Sequence, residues 1–270
     1  WLIYLHGGAW RDPLQLSSTL DPTLGHLSAS TLSRVAGLAS INYRLSPYPS
    51  HPTHPSSPDD PDRNARHPDH VRDVADALAY LRSHYFARGE GEQAFQWVGI
   101  GHSCGATLLC QVVSGLGLPS PTIIPKPVAL ILLAGIFDLG LMWTNHRPPG
   151  TPAEVADIYT ALLTGAFGHE HEVWDAVSPV RGKYNEQVWA EGREVWVCHS
   201  DEDELVEGQQ GEAMVARMVE CGWHVEGEGD ETRVLVRRRL KGAHDDVWEG
   251  GTQIAALIGD VVERLVVLEE

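Results

Sequence analysis

The chain has 270 residues, 43% hydrophobic and 21% charged, a composition that fits a globular protein with a sizeable core. Its 20 Lys+Arg stand against 37 Asp+Glu, a net charge of −17, and no basic patch interrupts that balance. Such a surface repels phosphate backbones and argues against a nucleic-acid partner. The longest apolar run, Val128 to Phe137, falls well short of the roughly 20 residues a membrane-spanning helix needs.

The sequence opens at Trp1, without a methionine or a secretory leader, directly in the apolar stretch Trp1-Leu2-Ile3-Tyr4-Leu5. That start predicts a strand and a missing upstream segment. The strand ends in His6-Gly7-Gly8-Ala9-Trp10, and a second strand is predicted over Val35–Tyr43. From Pro47 to Pro68 seven of the 17 prolines are gathered with Ser, Asp and His, an exposed irregular loop. A helix is predicted from His67-Pro68-Asp69, with proline in the first turn and Val71, Val74, Leu78 and Leu81 on one face.

Gln96–Ile100 reads as a strand, followed by Gly101-His102-Ser103-Cys104-Gly105 and a helix through Val113. Val128–Leu133 is a continuous apolar run, the pattern of a strand covered on both faces. Glu194–His199 and Arg233–Leu240 supply two further strands, with helices over Leu205–Cys221 and from Thr252 to Val267. The stretch 138–183 interrupts this alternation. Its Thr151-Pro152-Ala153-Glu154 has the form of a capping box, followed by an apolar face of Val155, Ile158, Tyr159, Leu162 and Leu163. This helical insertion is read either as a cap over a pocket or as a peripheral helix on the sheet. The whole predicts one α/β domain with a mostly parallel sheet flanked by helices.

The four cysteines, Cys104, Cys110, Cys198 and Cys221, contain no CxxC pair and read as reduced thiols, which points to the cytoplasm.

Gly101-His102-Ser103-Cys104-Gly105 lies between a predicted strand and a predicted helix. There a serine sits on a sharp turn, and glycines two positions to either side let strand and helix approach it. A serine hydroxyl needs a base, and the base an orienting acid. In α/β hydrolases these follow in the order Ser, acid, His, on loops after later strands. Here Ser200-Asp201-Glu202-Asp203-Glu204-Leu205-Val206 and Lys241-Gly242-Ala243-His244 occupy those stations. His244 is the predicted base. Asp203, just ahead of an apolar pair, is favoured over Asp201 as the acid. The Gly-rich turn His6-Gly7-Gly8-Ala9, with the N–H of Cys104, supplies backbone donors for an oxyanion.

These segments, together with Asn42-Tyr43-Arg44-Leu45-Ser46-Pro47, His67-Pro68-Asp69-His70, Gly135-Ile136-Phe137-Asp138 and Gly242-Ala243-His244, resemble the fungal-type kynurenine formamidases. The tryptophan of H-G-G-x-W is the discriminating element, since related lipases and esterases carry a third glycine nearby. The resemblance implies the α/β-hydrolase fold and cleavage of N-formyl-L-kynurenine to L-kynurenine and formate, in tryptophan breakdown towards NAD. It implies a triad of Ser103, Asp203 and His244, an oxyanion hole from the N–H groups of Gly8 and Ala9, and a homodimer without metal or organic cofactor. Trp10 and Tyr159 are candidate substrate contacts.

The rival readings are an esterase of the hormone-sensitive-lipase type using the same triad, and a non-catalytic binding protein on the same fold. The histidines His51, His54, His67, His70, His169 and His171 lack the regular spacing of a metal site.

Overall fold

The computed structural model describes residues 1–86, 95–120, 123–228 and 232–267. Seven strands form one sheet: β1 (Leu2–Leu5), β2 (Leu38–Ile41), β3 (Val98–His102), β4 (Ala129–Leu133), β5 (Glu194–Ser200), β6 (His224–Val225) and β7 (Val234–Leu240). Their order is β2-β1-β3-β4-β5-β7-β6, and every pairing between them is parallel. A parallel sheet needs both faces covered, and the period of two along each strand sorts its side chains accordingly. Ile3, Leu5, Leu130, Leu132, Val195 and Val197 enter one buried cluster, while Leu2, Tyr4, Ala129, Ile131, Leu133 and Trp196 enter another.

The helices are α1 (Asp21–Leu24), α2 (Ala29–Leu32), α3 (Asp69–Leu81), α4 (Cys104–Ser114), α5 (Leu139–Asn145), α6 (Ala153–Phe167), α7 (His171–Val177), α8 (Gln209–Glu220), α9 (Asp246–Glu249) and α10 (Thr252–Val267). Val71, Val74 and Leu78 of α3, with Leu108, Leu109 and Val112 of α4, pack in the first cluster. Ile254, Ile258 and Val261 of α10 fill the second.

The expected elements are present, with shifted ends. The second strand contracts to Leu38–Ile41. The helix expected from Leu205 begins at Gln209, because the Asp203 carboxylate accepts the N–H groups of Leu205 and Val206 and holds that stretch as a turn. Pro68 caps α3 from just outside it.

The capping box at Thr151 does not form. Pro152 is the cap residue of α6 and no side chain caps the helix; the Thr151 hydroxyl donates to the Asn145 carbonyl at 3.4 Å instead. The expected apolar face also divides, with Tyr159, Leu162 and Leu163 buried while Val155 and Ile158 are 38% and 53% exposed. Between cap and peripheral helix, the contacts of α6 favour the cap. The Tyr159 hydroxyl donates to the Leu205 carbonyl on the loop after β5, and Phe167 meets the Trp10 ring edge-on after β1.

The chain places β2 on one side of β1 and β3 on the other, so the loops leaving β1 and β3 diverge at a topological switch point. In open parallel sheets the crevice at the carboxyl ends of such strands is where ligands bind.

Candidate active site

Ser103 joins β3 to α4 with φ 53° and ψ −121°, a left-handed backbone that a non-glycine residue adopts only when its surroundings hold it there. The flanking glycines are steric necessities. A Cβ on Gly101 would lie 2.6 Å from the Ala106 nitrogen, and one on Gly105 would overlap the Leu5 carbonyl of the neighbouring strand. Among the described residues the Ser103 hydroxyl is engaged by no hydrogen bond. Catalytic hydrogen bonds of empty sites commonly close only around substrate.

The loops after β5 and β7 bring Asp203 and His244 together. His244 Nδ1 donates to Asp203 Oδ2 at 2.8 Å, with the two side chains 5% and 1% exposed. With Nδ1 as the donor, Nε2 is the ring nitrogen left to accept a proton, as a general base requires. Burial pushes the Asp203 carboxyl up. The hydrogen bond and charge of His244, with the N–H groups of Val206 and Leu205, outweigh it and hold the carboxyl below its ordinary value. Asp201 points elsewhere, exposed and ion-paired with Arg239.

His244 is also gripped by its peptide groups, through two residues that sequence reasoning passed over. Its N–H donates to Glu204 Oε2 at 3.0 Å, and its carbonyl accepts from His102 Nε2 at 3.1 Å. His102 is the variable position inside the serine motif, so the loop carrying His244 is tied directly to the residue before Ser103. Burial, with His244 beside it, pushes the His102 imidazole well below the ordinary histidine range and keeps it neutral. Asp245 in turn accepts from Gln15 Nε2 at 3.1 Å and Trp248 Nε1 at 2.9 Å.

On the opposite side the loop after β1 lies against the serine turn. A Cβ on Gly7 would come to 2.6 Å from His102 Nδ1 and 3.2 Å from Ser103 Cβ, so only glycine permits this approach. Gly8, Ala9 and Trp10 follow with φ of 90°, 49° and 59°. The Trp10 N–H donates to Cys104 Sγ at 3.2 Å. The N–H groups of Gly8 and Cys104 have no protein acceptor among the described residues. His6 lies beneath, fully buried, its Nδ1 donating to the Gly7 carbonyl at 2.9 Å; burial lowers its imidazole to about 4.

Trp10 is fully buried, 4.9 Å from the Phe167 ring between centroids, and so sits in the core beneath α6. Tyr159 is 7% exposed, its ring stacked on His146 and its hydroxyl committed to the Leu205 carbonyl of the loop carrying Asp203. Among the described residues the histidines of the proline-rich loop form no ligand set. Among those residues the one group close enough to share an ion is His102, His244 and Asp245. No helix of the described residues is long and apolar enough to cross a membrane.

Comparison with curated proteins finds relatives along almost the whole chain. The kynurenine formamidase-like hydrolase fscH of Fusarium equiseti is 33% identical over 268 residues, covering 98% of this chain and 83% of the relative. The chain belongs to the kynurenine formamidase family. Kynurenine formamidase avaC of Aspergillus versicolor is 31% identical over 265 residues, 92% of this chain and 83% of its own. A scan against family profiles finds no match.

Solved structures agree on the architecture. The propionate-bound esterase Est2 of Thermogutta terrifontis superposes with a TM-score of 0.60 at 20% identity, over 99% of this chain and 82% of its own. A hyperthermophilic esterase from Pyrobaculum calidifontis gives 0.61 at 18%, over 96% and 76%. These likenesses establish the α/β-hydrolase fold. Membership of the formamidase family makes the chain an enzyme, a hydrolase.

Proposed function

We propose that the chain hydrolyses N-formyl-L-kynurenine to L-kynurenine and formate, with Ser103 as nucleophile, His244 as general base and acid, and Asp203 as its orienting carboxylate. The observation that carries this reading is the 2.8 Å bond from His244 Nδ1 to a buried Asp203, on loops that converge beside a serine held at φ 53°. Ser103 Oγ attacks the formyl carbon while His244 Nε2 takes its proton, and Asp203 stabilises the imidazolium. The carbonyl oxygen becomes an oxyanion, received by the N–H groups of Gly8, Ala9 and Cys104. The imidazolium then protonates the departing aryl amine, the C–N bond breaks, and a formyl ester on Ser103 is left. Water, deprotonated by the same imidazole, attacks that ester. Formate leaves, and Ser103 recovers its proton.

The same reading places the reaction in tryptophan breakdown towards NAD, carried out in the cytoplasm by a homodimer without metal or organic cofactor. It rests on the family and on the stations occupied by the three side chains.

The test is the initial rate of N-formyl-L-kynurenine hydrolysis, followed by kynurenine absorbance, beside that of a short p-nitrophenyl ester and with Ser103→Ala as control. Turnover of the formamide lost in the variant supports the proposal. Rapid ester cleavage without formamide turnover replaces it with a carboxylesterase on the same triad.

A further inference from the structure

The Asn42-Tyr43-Arg44-Leu45-Ser46-Pro47 segment leaves β2 and contributes no group to the proton transfers above. It nevertheless runs alongside the loop that carries the oxyanion donors. The Ser46 N–H donates to the Trp10 carbonyl at 2.8 Å. The Tyr43 hydroxyl lies 3.0 Å from the His6 carbonyl, 3.2 Å from that of Gly7 and 3.3 Å from Cys104 Sγ. Its ring stacks on the His6 imidazole, with centroids 4.3 Å apart and planes within 7°. Arg44 fastens the segment from outside, its guanidinium and its N–H both bonded to the Asp73 carboxylate of α3.

What these contacts hold is strained. Two consecutive non-glycine residues, Ala9 and Trp10, sit in left-handed backbone at φ 49° and 59°, a conformation that persists only where the surroundings over-determine it. The Gly8 carbonyl receives the N–H groups of Arg11 and Asp12 at 2.9 and 2.8 Å, which closes the turn on one side. On the other, the Trp10 N–H reaches only Cys104 Sγ. Cys104 therefore serves the turn twice, with its own N–H among the unclaimed donors and its sulfur beneath the strained loop. Both anchoring groups are neutral donors or acceptors throughout the working range. Burial pushes the Tyr43 hydroxyl well above its ordinary value, and the Cys104 thiol up to about 11.

We propose that Tyr43 and Cys104 are positioning residues of the oxyanion hole: hydroxyl and thiol together lock the strained loop after β1 onto the serine turn, and so fix where the Gly8 and Ala9 N–H groups point. Neither side chain touches substrate; both act through the backbone. The inference rests on the proposed serine mechanism, since it concerns the donors that receive the oxyanion of that mechanism. An unaligned donor is felt only once the oxygen carries charge, so the loss falls on the transition state and spares ground-state binding.

The experiment compares Tyr43→Phe, Cys104→Ala, Cys104→Ser and the Tyr43→Phe/Cys104→Ala double variant with the unmodified chain. N-formyl-L-kynurenine and a short p-nitrophenyl ester are the substrates, phenylboronic acid is the tetrahedral mimic, and L-kynurenine is the ground-state ligand. Tyr43→Phe and Cys104→Ala are each expected to lower kcat by about 10- to 100-fold on both substrates, part of the effect of deleting a whole donor. KM and the kynurenine inhibition constant stay within about twofold, and boronate affinity falls in parallel with kcat/KM. Cys104→Ser keeps an acceptor for the Trp10 N–H and recovers most of the rate. The double variant is little worse than either single one, because both changes release the same loop.

Wild-type kcat and boronate affinity in Tyr43→Phe would overturn the inference. So would a kcat loss matched by an equal loss of kynurenine binding, or of folded protein. If Tyr43→Phe does not fold, the Cys104→Ala and Cys104→Ser pair decides, and equal rates in those two would overturn it. An unmodified chain that cleaves neither substrate and binds no boronate sinks the mechanism and this inference with it, whereas an active chain matched by its variants sinks the inference alone.

Discussion

The two sides of the site are held by opposite kinds of chemistry. The His244 side is ionic and reaches solvent only at its edge: the ring rests on the buried Asp203 carboxylate and the N–H on the exposed Glu204 carboxylate. The side of the proposed oxyanion donors is neutral and buried, a loop fastened by Tyr43, His6 and Cys104, all 4% exposed or less. The difference follows what each side must do. In the proposed mechanism the imidazole gains and loses a charge in every cycle, and nearby carboxylates stabilise its charged form. The oxyanion donors must not reorient, and a buried neutral network supplies rigidity without the desolvation cost of buried charge.

Removing the chemistry itself gives the largest effect. Ser103→Ala and His244→Ala are each expected to lower kcat by about 10⁴–10⁶, with the double variant no worse than the worse single. Single-turnover and steady-state rates on N-formyl-L-kynurenine check this, and a double variant that multiplies the two losses would show that the residues do not act as one unit. Asp203→Asn is next, at about 10³–10⁴, since an amide no longer holds the ring in the required tautomer. Asp201→Asn touches only an exposed pair with Arg239 and should leave the rate within about twofold. The reverse order would move the acid's role to Asp201.

The strand-end features were legible because their signals are local. A strand, a glycine pair and a helix within a few residues place Gly101 to Gly105, and the close approach of Ala106 and Leu5 to these glycines is the steric reason the spacing implies. The continuous apolar run likewise marks β4. The insertion was legible only as helical. Thr151 has the right partner residue for a capping box, yet its hydroxyl turns to Asn145, on the preceding helix, so a tertiary neighbour displaced the local pattern. Val155 and Ile158 fit a helical apolar face by spacing, yet both lie on the exposed side of α6. Glu204 and Tyr43 were invisible as parts of the site for a different reason. Their partners lie 40 and 61 residues away in the chain, and no periodicity encodes a hydrogen bond of that span.

Glu204 sharpens the comparison from the ionic side. Its carboxylate accepts one N–H at 3.0 Å at an exposed edge, where a charge-assisted bond contributes on the order of 1–2 kcal/mol. Glu204→Ala is therefore expected to lower kcat by about 5- to 30-fold with a melting temperature only a few degrees lower, and Glu204→Gln, which keeps an acceptor, to recover most of both. Raised salt should weaken the wild type in the direction of Glu204→Ala while leaving the Tyr43→Phe deficit as it is. Equal salt responses in both variants would remove the distinction between the two sides.

The smallest effect on activity is a stability effect, and it comes from the neutral side. His6, stacked on Tyr43, and His70, whose Nε2 lies 2.9 Å from the Ser46 hydroxyl, both have imidazoles lowered by burial from 6.5 to about 4. In the unfolded chain they take up protons near the ordinary value, while in the folded chain they resist until about 4, so between these limits the unfolded state binds more protons. Stability then rises with pH across that window and falls as pH is lowered from about 6.5 towards about 4. Each histidine contributes a loss of up to about 3 kcal/mol at the acid end. Urea midpoints measured from pH 7 to pH 4.5 should decline, and His70→Asn, which cannot be protonated, should flatten the decline by its own share. A slope unchanged in His70→Asn would mean that His70 is already charged in the folded chain, and the strap of Tyr43 to Ser46 would then rest on an ionic group like the base side it was contrasted with.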